Sequence, residues 1–224
     1  MTAIVELSIS APVQKWQHIG LTVVDNIAQV GGVRMRFVPG AGGVEGGVVG
    51  GVEDGVVAWG LADLPVPCTH IDGLSTYPAA YAASDLSTLR GGDGGALGAT
   101  EFDHLVVMTS SLDRTCAAIE SATGEPLKRI REAGAIRQGF HRLGEVIVEV
   151  VESSAVVSPE AAFWGFVWNV VDIHEVCSAL GPDVISLPKP AVQQGRFIAT
   201  FRPSLGLGVA LAIMSAPVQR EPRS

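Results

Sequence analysis

The stretch Phe102–Ile119 reads FDHLVVMTSSLDRTCAAI, and the stretch Phe163–Leu180 reads FWGFVWNVVDIHEVCSAL. Set in register, Leu112 falls on Ile173, Cys116 on Cys177 and Ile119 on Leu180, a constant offset of 61. Each stretch opens on an apolar run that suits a strand. Each then changes to helical spacing, with Leu112, Cys116 and Ile119 on one face and Ile173, Val176, Cys177 and Leu180 on the other copy's face. Asp172 with Glu175 three residues on forms an acidic N-terminal capping box. An internal repeat at this period says that the fold is built from copies of one strand–helix unit.

Working outward, the repeat continues beyond the helices. IRQGFHRLGEVIVEVV (Ile136–Val151) is matched by VQQGRFIATF followed by LGLGVALAIM (Leu205–Met214), so each unit reads strand, helix, then about three strands. The N-terminus shows the same order more faintly: strand at Ile4–Ser10, short helix at Pro12–His18, strand at Leu21–Asp25, closing strand at Val33–Val38. RMRFVP aligns with Ile147–Glu152 and puts Arg36 opposite Glu149. GVVAWGLA (Gly55–Ala62) matches GFVWNVVD (Gly165–Asp172) as a first strand without its helix. The expected organisation is a degenerate unit plus an extra strand over 1–62 and a Gly/Pro-rich irregular connection over 63–100, with a short helix near Ala79–Leu89. Paired units follow over 101–217 (102–153 and 162–215), then a tail over 218–224. The fold class is α+β, with repeated βαβββ units forming curved mixed sheets.

Composition sets the outer bounds. The chain has 224 residues, 47% hydrophobic and 17% charged, which is ample for a core. Its net charge is −8, which argues against a nucleic-acid partner. The N-terminus lacks a basic region ahead of an apolar stretch, and the longest apolar runs are too short to span a bilayer, so no membrane partner is expected. Of three cysteines, Cys116 and Cys177 sit on apolar helix faces and Cys68 in a loop, with no C-x-x-C, which suits a reducing cytoplasm. The glycine-dense stretches Gly40–Gly55 and Gly91–Gly98 read as loops. The first is not a dinucleotide loop: Glu45 occupies the third glycine position and no helix follows.

A repeated βαβββ unit, with the words FDHLVV, RLGEVIVEVV and FWGFVWNV, resembles the glyoxalase/bleomycin-resistance group, the vicinal oxygen chelate superfamily. The resemblance covers Phe102–Ser215 well and Ala3–Ala62 weakly. It implies incomplete barrels that cup a site, and a divalent metal held by the first and last strands of each unit. Carried over, His104 and Glu149 are metal ligands, suited to Zn, Fe, Mn or Ni. Strand alternation also works: His104, Val106 and Met108 share a face, as do Glu145, Ile147 and Glu149. The partner unit departs from the pattern, with Gly165 where His104 stands and Ala212 where Glu149 stands. The set is incomplete unless a third ligand comes from elsewhere. Glu6, which matches His104 in the N-terminal unit, is first choice, then His141, His70 and Gln138.

Glu149 interrupts a buried-looking strand, and a buried carboxylate needs a partner; unpaired, it is a candidate general base. Gln138 and Asn169 are candidate substrate contacts. Arg36, Arg137 and Arg196 are candidate anchors for an anionic ligand, against a plainer reading as solvated strand residues. Trp164, Phe166 and Trp168 are expected to share a core face. Gly165, Val167, Asn169, Gly208, Ala210 and Ala212 line the other face with small groups, leaving room for an apolar or aromatic ligand. The resemblance implies either a metal-dependent lyase, isomerase or dioxygenase on a small oxygenated substrate, or a metal-free protein that sequesters a small molecule. Units pair within one chain or across a homodimer in this superfamily; four unit-like segments favour the chain itself.

Overall fold

The computed structural model describes residues 1–39, 54–80, 95–134 and 136–216. The expected helix near Ala79–Leu89, most of the Gly40–Gly55 loop and the tail lie outside them.

Two curved mixed sheets, neither closed into a barrel, account for the strands. In the larger sheet, β7 (Ala99–Thr109) and β11 (Ala162–Val170) run antiparallel at the centre. Each is the first strand of a unit. The helix α2 (Leu112–Thr123) follows β7, then β8 (Arg129–Ala133), β9 (Ile136–Leu143) and β10 (Val146–Glu152). The helix α3 (Ile173–Leu180) follows β11, then β12 (Lys189–Pro190), β13 (Phe197–Thr200) and β14 (Ala210–Ser215). The last strand of each unit returns parallel to its first, β10 on β7 and β14 on β11. The order is β12-β13-β14-β11-β7-β10-β9-β8, two copies of one unit joined back to back within the chain.

The helix ends are set locally. The Asp172 carboxylate accepts from the backbone N–H of His174 (2.9 Å) and Glu175 (3.0 Å). Ser111 caps α2 and Gly124 ends it at φ 74°. Leu112, Cys116 and Ile119 are buried, as the spacing requires, and so are Ile173 and Cys177.

The smaller sheet repeats the plan in shortened form. β1 (Ala3–Ser10), α1 (Val13–His18), β2 (Ile27–Val30) and β3 (Val33–Val38) make one unit, with β3 parallel to β1. β4 (Gly55–Ala62) runs antiparallel to β1, as β11 does to β7. Two expectations fail here. Leu21–Asp25 is not a strand: Asp25 and Asn26 (φ 51° and 61°) form a two-residue turn, and the strand is β2 beyond it. The stretch expected to be irregular holds a hairpin, β5 (His70–Ile71) and β6 (Leu74–Pro78), turned by Asp72 and Gly73 at φ 49° and 88°. An Asp-Gly pair is a strong signal for such a turn, and it closes the smaller sheet as β2-β3-β1-β4-β6-β5.

The two sheets pack through their apolar faces. Trp16 stacks on Phe166 with ring centroids 6.0 Å apart, and Trp59 meets Phe163 edge-on at 5.4 Å. The cup of the larger sheet therefore faces away from the smaller sheet.

All four first strands carry a β-bulge where they pair. The extra residue is Val5 in β1, Val57 in β4, Asp103 in β7 and Trp164 in β11, and β7 has a second one, Thr100, nearer its start. A bulge re-aims the side chains around it. Phe102 is thereby buried in the core while Asp103 and His104 stand side by side. Likewise Phe163 reaches Trp59, and Trp164 leaves the core for the rim of the cup, 56% exposed. Trp164 is thus not in the aromatic core with Phe166 and Trp168.

Candidate functional site

The concave face of the larger sheet holds a cavity of about 430 Å³. Its walls are mostly apolar: Val106 and Met108 from β7, Val151 from β10, Val167 from β11, and Ile198, Ala210 and Ala212 from the far strands. Trp164 stands at its rim. Three polar groups gather on one side, where β7, β10 and β9 contribute His104, Glu149 and Gln138, and Thr200 of β13 lies across from them.

These three touch. The Gln138 amide donates to Glu149 Oε1, and Glu149 Oε2 lies 3.5 Å from His104 Nε2. Both His104 and Glu149 keep 15% of their side-chain surface open. Register explains the meeting: Glu149 pairs with Val106 on β7, two residues from His104 on the same face. Glu149 has the partner that a buried carboxylate needs.

Behind His104 lies a group that strict alternation hides. Asp103, the bulge residue, bonds His104 Nδ1 at 2.8 Å through one carboxylate oxygen. Its other oxygen accepts from Arg196 at 2.7 Å. Arg196 also donates to the Asn169 side chain and, at 2.8 Å, to the Ser215 carbonyl. Burial alone would raise the Asp103 carboxyl. Hydrogen bonds from His104 and Arg196, with the Arg196 charge, outweigh it and hold the group below its ordinary value. An ionised Asp103 only accepts, so His104 Nδ1 carries a proton and Nε2 is the atom presented to the cavity.

The other expected site residues lie elsewhere. Glu6 does not join the cup. It is buried on the smaller sheet between Arg34 (2.6 Å), Arg36 (2.9 Å) and the Tyr77 hydroxyl (2.7 Å). Burial would raise it, but Arg36, Tyr77 and the Arg34 charge together hold it below its ordinary value. Arg36 is its partner there. Arg137 points to the helix side of β9 and pairs with Asp113 and Glu152. Arg196 and Asn169 are buried, so they brace Asp103 and do not line the cavity. His141 faces the core from β9, hydrogen-bonded to the Glu125 carbonyl, and burial lowers its pKa. His70 is exposed on β5.

Gly165 departs from expectation in a second way. A Cβ there would lie 2.0 Å from the Ala210 carbonyl oxygen. The β14 backbone fills that space, and the room in the cup comes from Ala210 and Ala212.

A divalent ion would meet His104 Nε2, a Glu149 oxygen and, with its amide turned, the Gln138 oxygen. The facing wall adds no donor at Val167 or Ala212. Among the described residues no three His, Cys, Asp or Glu side chains gather into a metal-ligating group. Only His104 and Glu149 are of the imidazole and carboxylate types that hold catalytic transition metals, and such sites generally need three protein ligands, so this donor set does not fit a resident metal centre of that kind.

The fold and site together define a duplicated βαβββ protein with an apolar cup and one polar flank. No family model and no curated protein matches the chain. Solved structures of similar architecture include methylmalonyl-CoA epimerase from Mycobacterium tuberculosis, 15% identical over 53% of this chain and 90% of that one, TM-score 0.44. A Streptomyces coelicolor methylmalonyl-CoA epimerase in complex with 2-nitronate-propionyl-CoA is 14% identical over 55% and 99%, TM-score 0.45. A hypothetical protein from Bacillus halodurans is 17% identical over 55% and 98%, TM-score 0.45. No helix among the described residues is long and apolar enough to cross a membrane.

Proposed function

We propose that the chain is a proton-transfer enzyme of the isomerase or lyase kind. Its substrate is a small, mainly apolar molecule whose C–H bond lies next to a carbonyl. The observation that carries this reading is the His104–Glu149 pair, 3.5 Å apart and open to an otherwise apolar cavity.

Two acceptors at that distance repel unless a proton is present between them. A proton on His104 Nε2, with the ring held through Nδ1–H by Asp103, supplies one. Glu149 then takes the proton from the substrate carbon as that C–H bond breaks. His104 Nε2–H donates to the carbonyl oxygen, where the negative charge collects. Gln138 holds the Glu149 carboxylate in place. Return of the proton to carbon, on the same or the opposite face, completes an isomerisation; loss of a β-leaving group completes an elimination. The apolar walls exclude water and strengthen each of these interactions.

The test is α-hydrogen exchange in D2O, followed by NMR, over a panel of small aryl- and alkyl-substituted carbonyl compounds. Exchange should fall by a factor of about 10² to 10⁴ in Glu149→Gln, the usual worth of a positioned general base. A second reading, capture of an apolar molecule without chemistry, draws on the nearly all-apolar walls. Compounds that bind without any exchange above buffer would decide for capture.

A further inference from the structure

A second groove, of about 260 Å³, opens between the two sheets where β4 and β11 begin. Trp164 lines both this groove and the cup, so one exposed ring stands between them. The groove is built from glycines and apolar side chains, with Asp54 and Ser75 the only charged or hydroxyl-bearing ones, yet most of the surface it exposes is polar. That surface is therefore largely backbone.

The ladders explain it. On β4, Gly55–Val57 come before the first pair with β6, Trp59 with Thr76. On β11, Ala162 and Phe163 come before the first pair with β14, Gly165 with Ala210. Among the described residues, two strand edges thus run along the groove without a ladder partner. The bulge residues Val57 and Trp164 stand one on each wall. Unladdered edges are templates for an extended group with its own N–H and C=O.

We propose that the ligand of the cup is longer than the cup. Its apolar head sits beside His104 and Glu149, and an extended, amide-bearing tail passes Trp164 into the groove to pair with these strand edges. The proposal rests on the cup being the ligand site, as argued above. An anionic tail does not suit the groove, because Asp54 lines it and no Lys or Arg does. A purely apolar tail would bury backbone groups without partners.

Trp164 supplies the readout, since Trp16, Trp59 and Trp168 are each 0% exposed and it is the one indole a ligand can reach. Two probes share a head: N-methylphenylacetamide, and phenylacetyl-glycyl-glycine N-methylamide, which adds two amides. Binding is followed by calorimetry and by Trp164 emission. The longer probe should bind about tenfold more tightly, the worth of one or two net hydrogen bonds. Ala162→Phe, at an exposed position in the groove wall, should erase that gain and leave the short probe's affinity unchanged. Equal affinities in the unmodified protein, or a gain that survives Ala162→Phe, would overturn the tail. The short probe scores the cup separately, because Ala212→Phe fills the cavity and should abolish its binding. Loss of the tail reading then leaves the cup reading standing, whereas no binding of either probe overturns both.

Discussion

Replacing Arg196 by Met removes the guanidinium that joins the two units behind the site. Arg196 is 8% exposed and serves Asp103, Asn169 and the Ser215 carbonyl. Removing one partner of a buried ion pair costs about 3–5 kcal/mol, because the other charge stays buried. Asp103 keeps the His104 hydrogen bond, so the lower end applies, about 3 kcal/mol. For a chain of this length that is a fall in Tm of roughly 6–12 °C. Asp103→Asn alone should cost a similar amount, since it strands the guanidinium. The double variant Asp103→Asn/Arg196→Met should cost little more than either single change, a coupling of about 3 kcal/mol. Urea denaturation of the four proteins, with a double-mutant cycle, measures it. A coupling below about 1 kcal/mol would show that the pair is not the unit inferred here, and that His104 is oriented by something else.

Two pH dependences follow from the same structure, and one packing effect. Asp103 has a folded pKa below its ordinary 3.8, so it contributes stability above that pH which is lost as pH falls through the folded value; Asp103→Asn should flatten the acid limb of the wild-type curve. His141 is buried with a pKa below its ordinary 6.5, so its contribution is present above pH 6.5 and is lost as pH falls through the folded value. Stability measured from pH 7 to 5 should fall less steeply in His141→Leu, and parallel curves would disprove the assignment. Gly165→Ala places a methyl group against the Ala210 carbonyl and should cost about 1–3 kcal/mol, the range for overpacking. A variant as stable as the wild type would mean that β14 is free to move.

The repeat made much of this fold readable. The offset of 61 located both helices and both central strands. It also equated His104 with Gly165 and, through the last strands, Glu149 with Ala212. The observed register agrees: Glu149 pairs with Val106, and Ala212 pairs with Val167, the residue 61 further on. The resemblance put His104 and Glu149 in one cup, and alternation within each strand agreed with it. The smaller sheet was harder, because its hairpins turn on Asp25-Asn26 and Asp72-Gly73, pairs passed over beside the louder glycine runs. Glu6 was matched to the right strand position but belongs to its own sheet, and alignment alone does not say which copies share a cup. Asp103 escaped notice because period-two reading sends it to the face opposite His104. Only a bulge brings the two together. Part of the signal was present, since the same offset pairs Asp103 with Trp164, and Asp103 breaks an apolar run.

The bulges also bear on how this chain tolerates insertion and deletion. Deleting Asp103 would leave Phe102 and His104 adjacent, on opposite faces of an unbulged strand, and would cost the carboxylate; losing the bulge with Asp103 still in place costs more. A regular β7 would put Phe102 and His104 on the same face, so that keeping His104 in the cup would expel Phe102 from the core, and keeping Phe102 would bury the histidine. No substitution elsewhere in the strand repairs that conflict. The bulge in β7 is therefore as much a determinant of the site as any side chain in it.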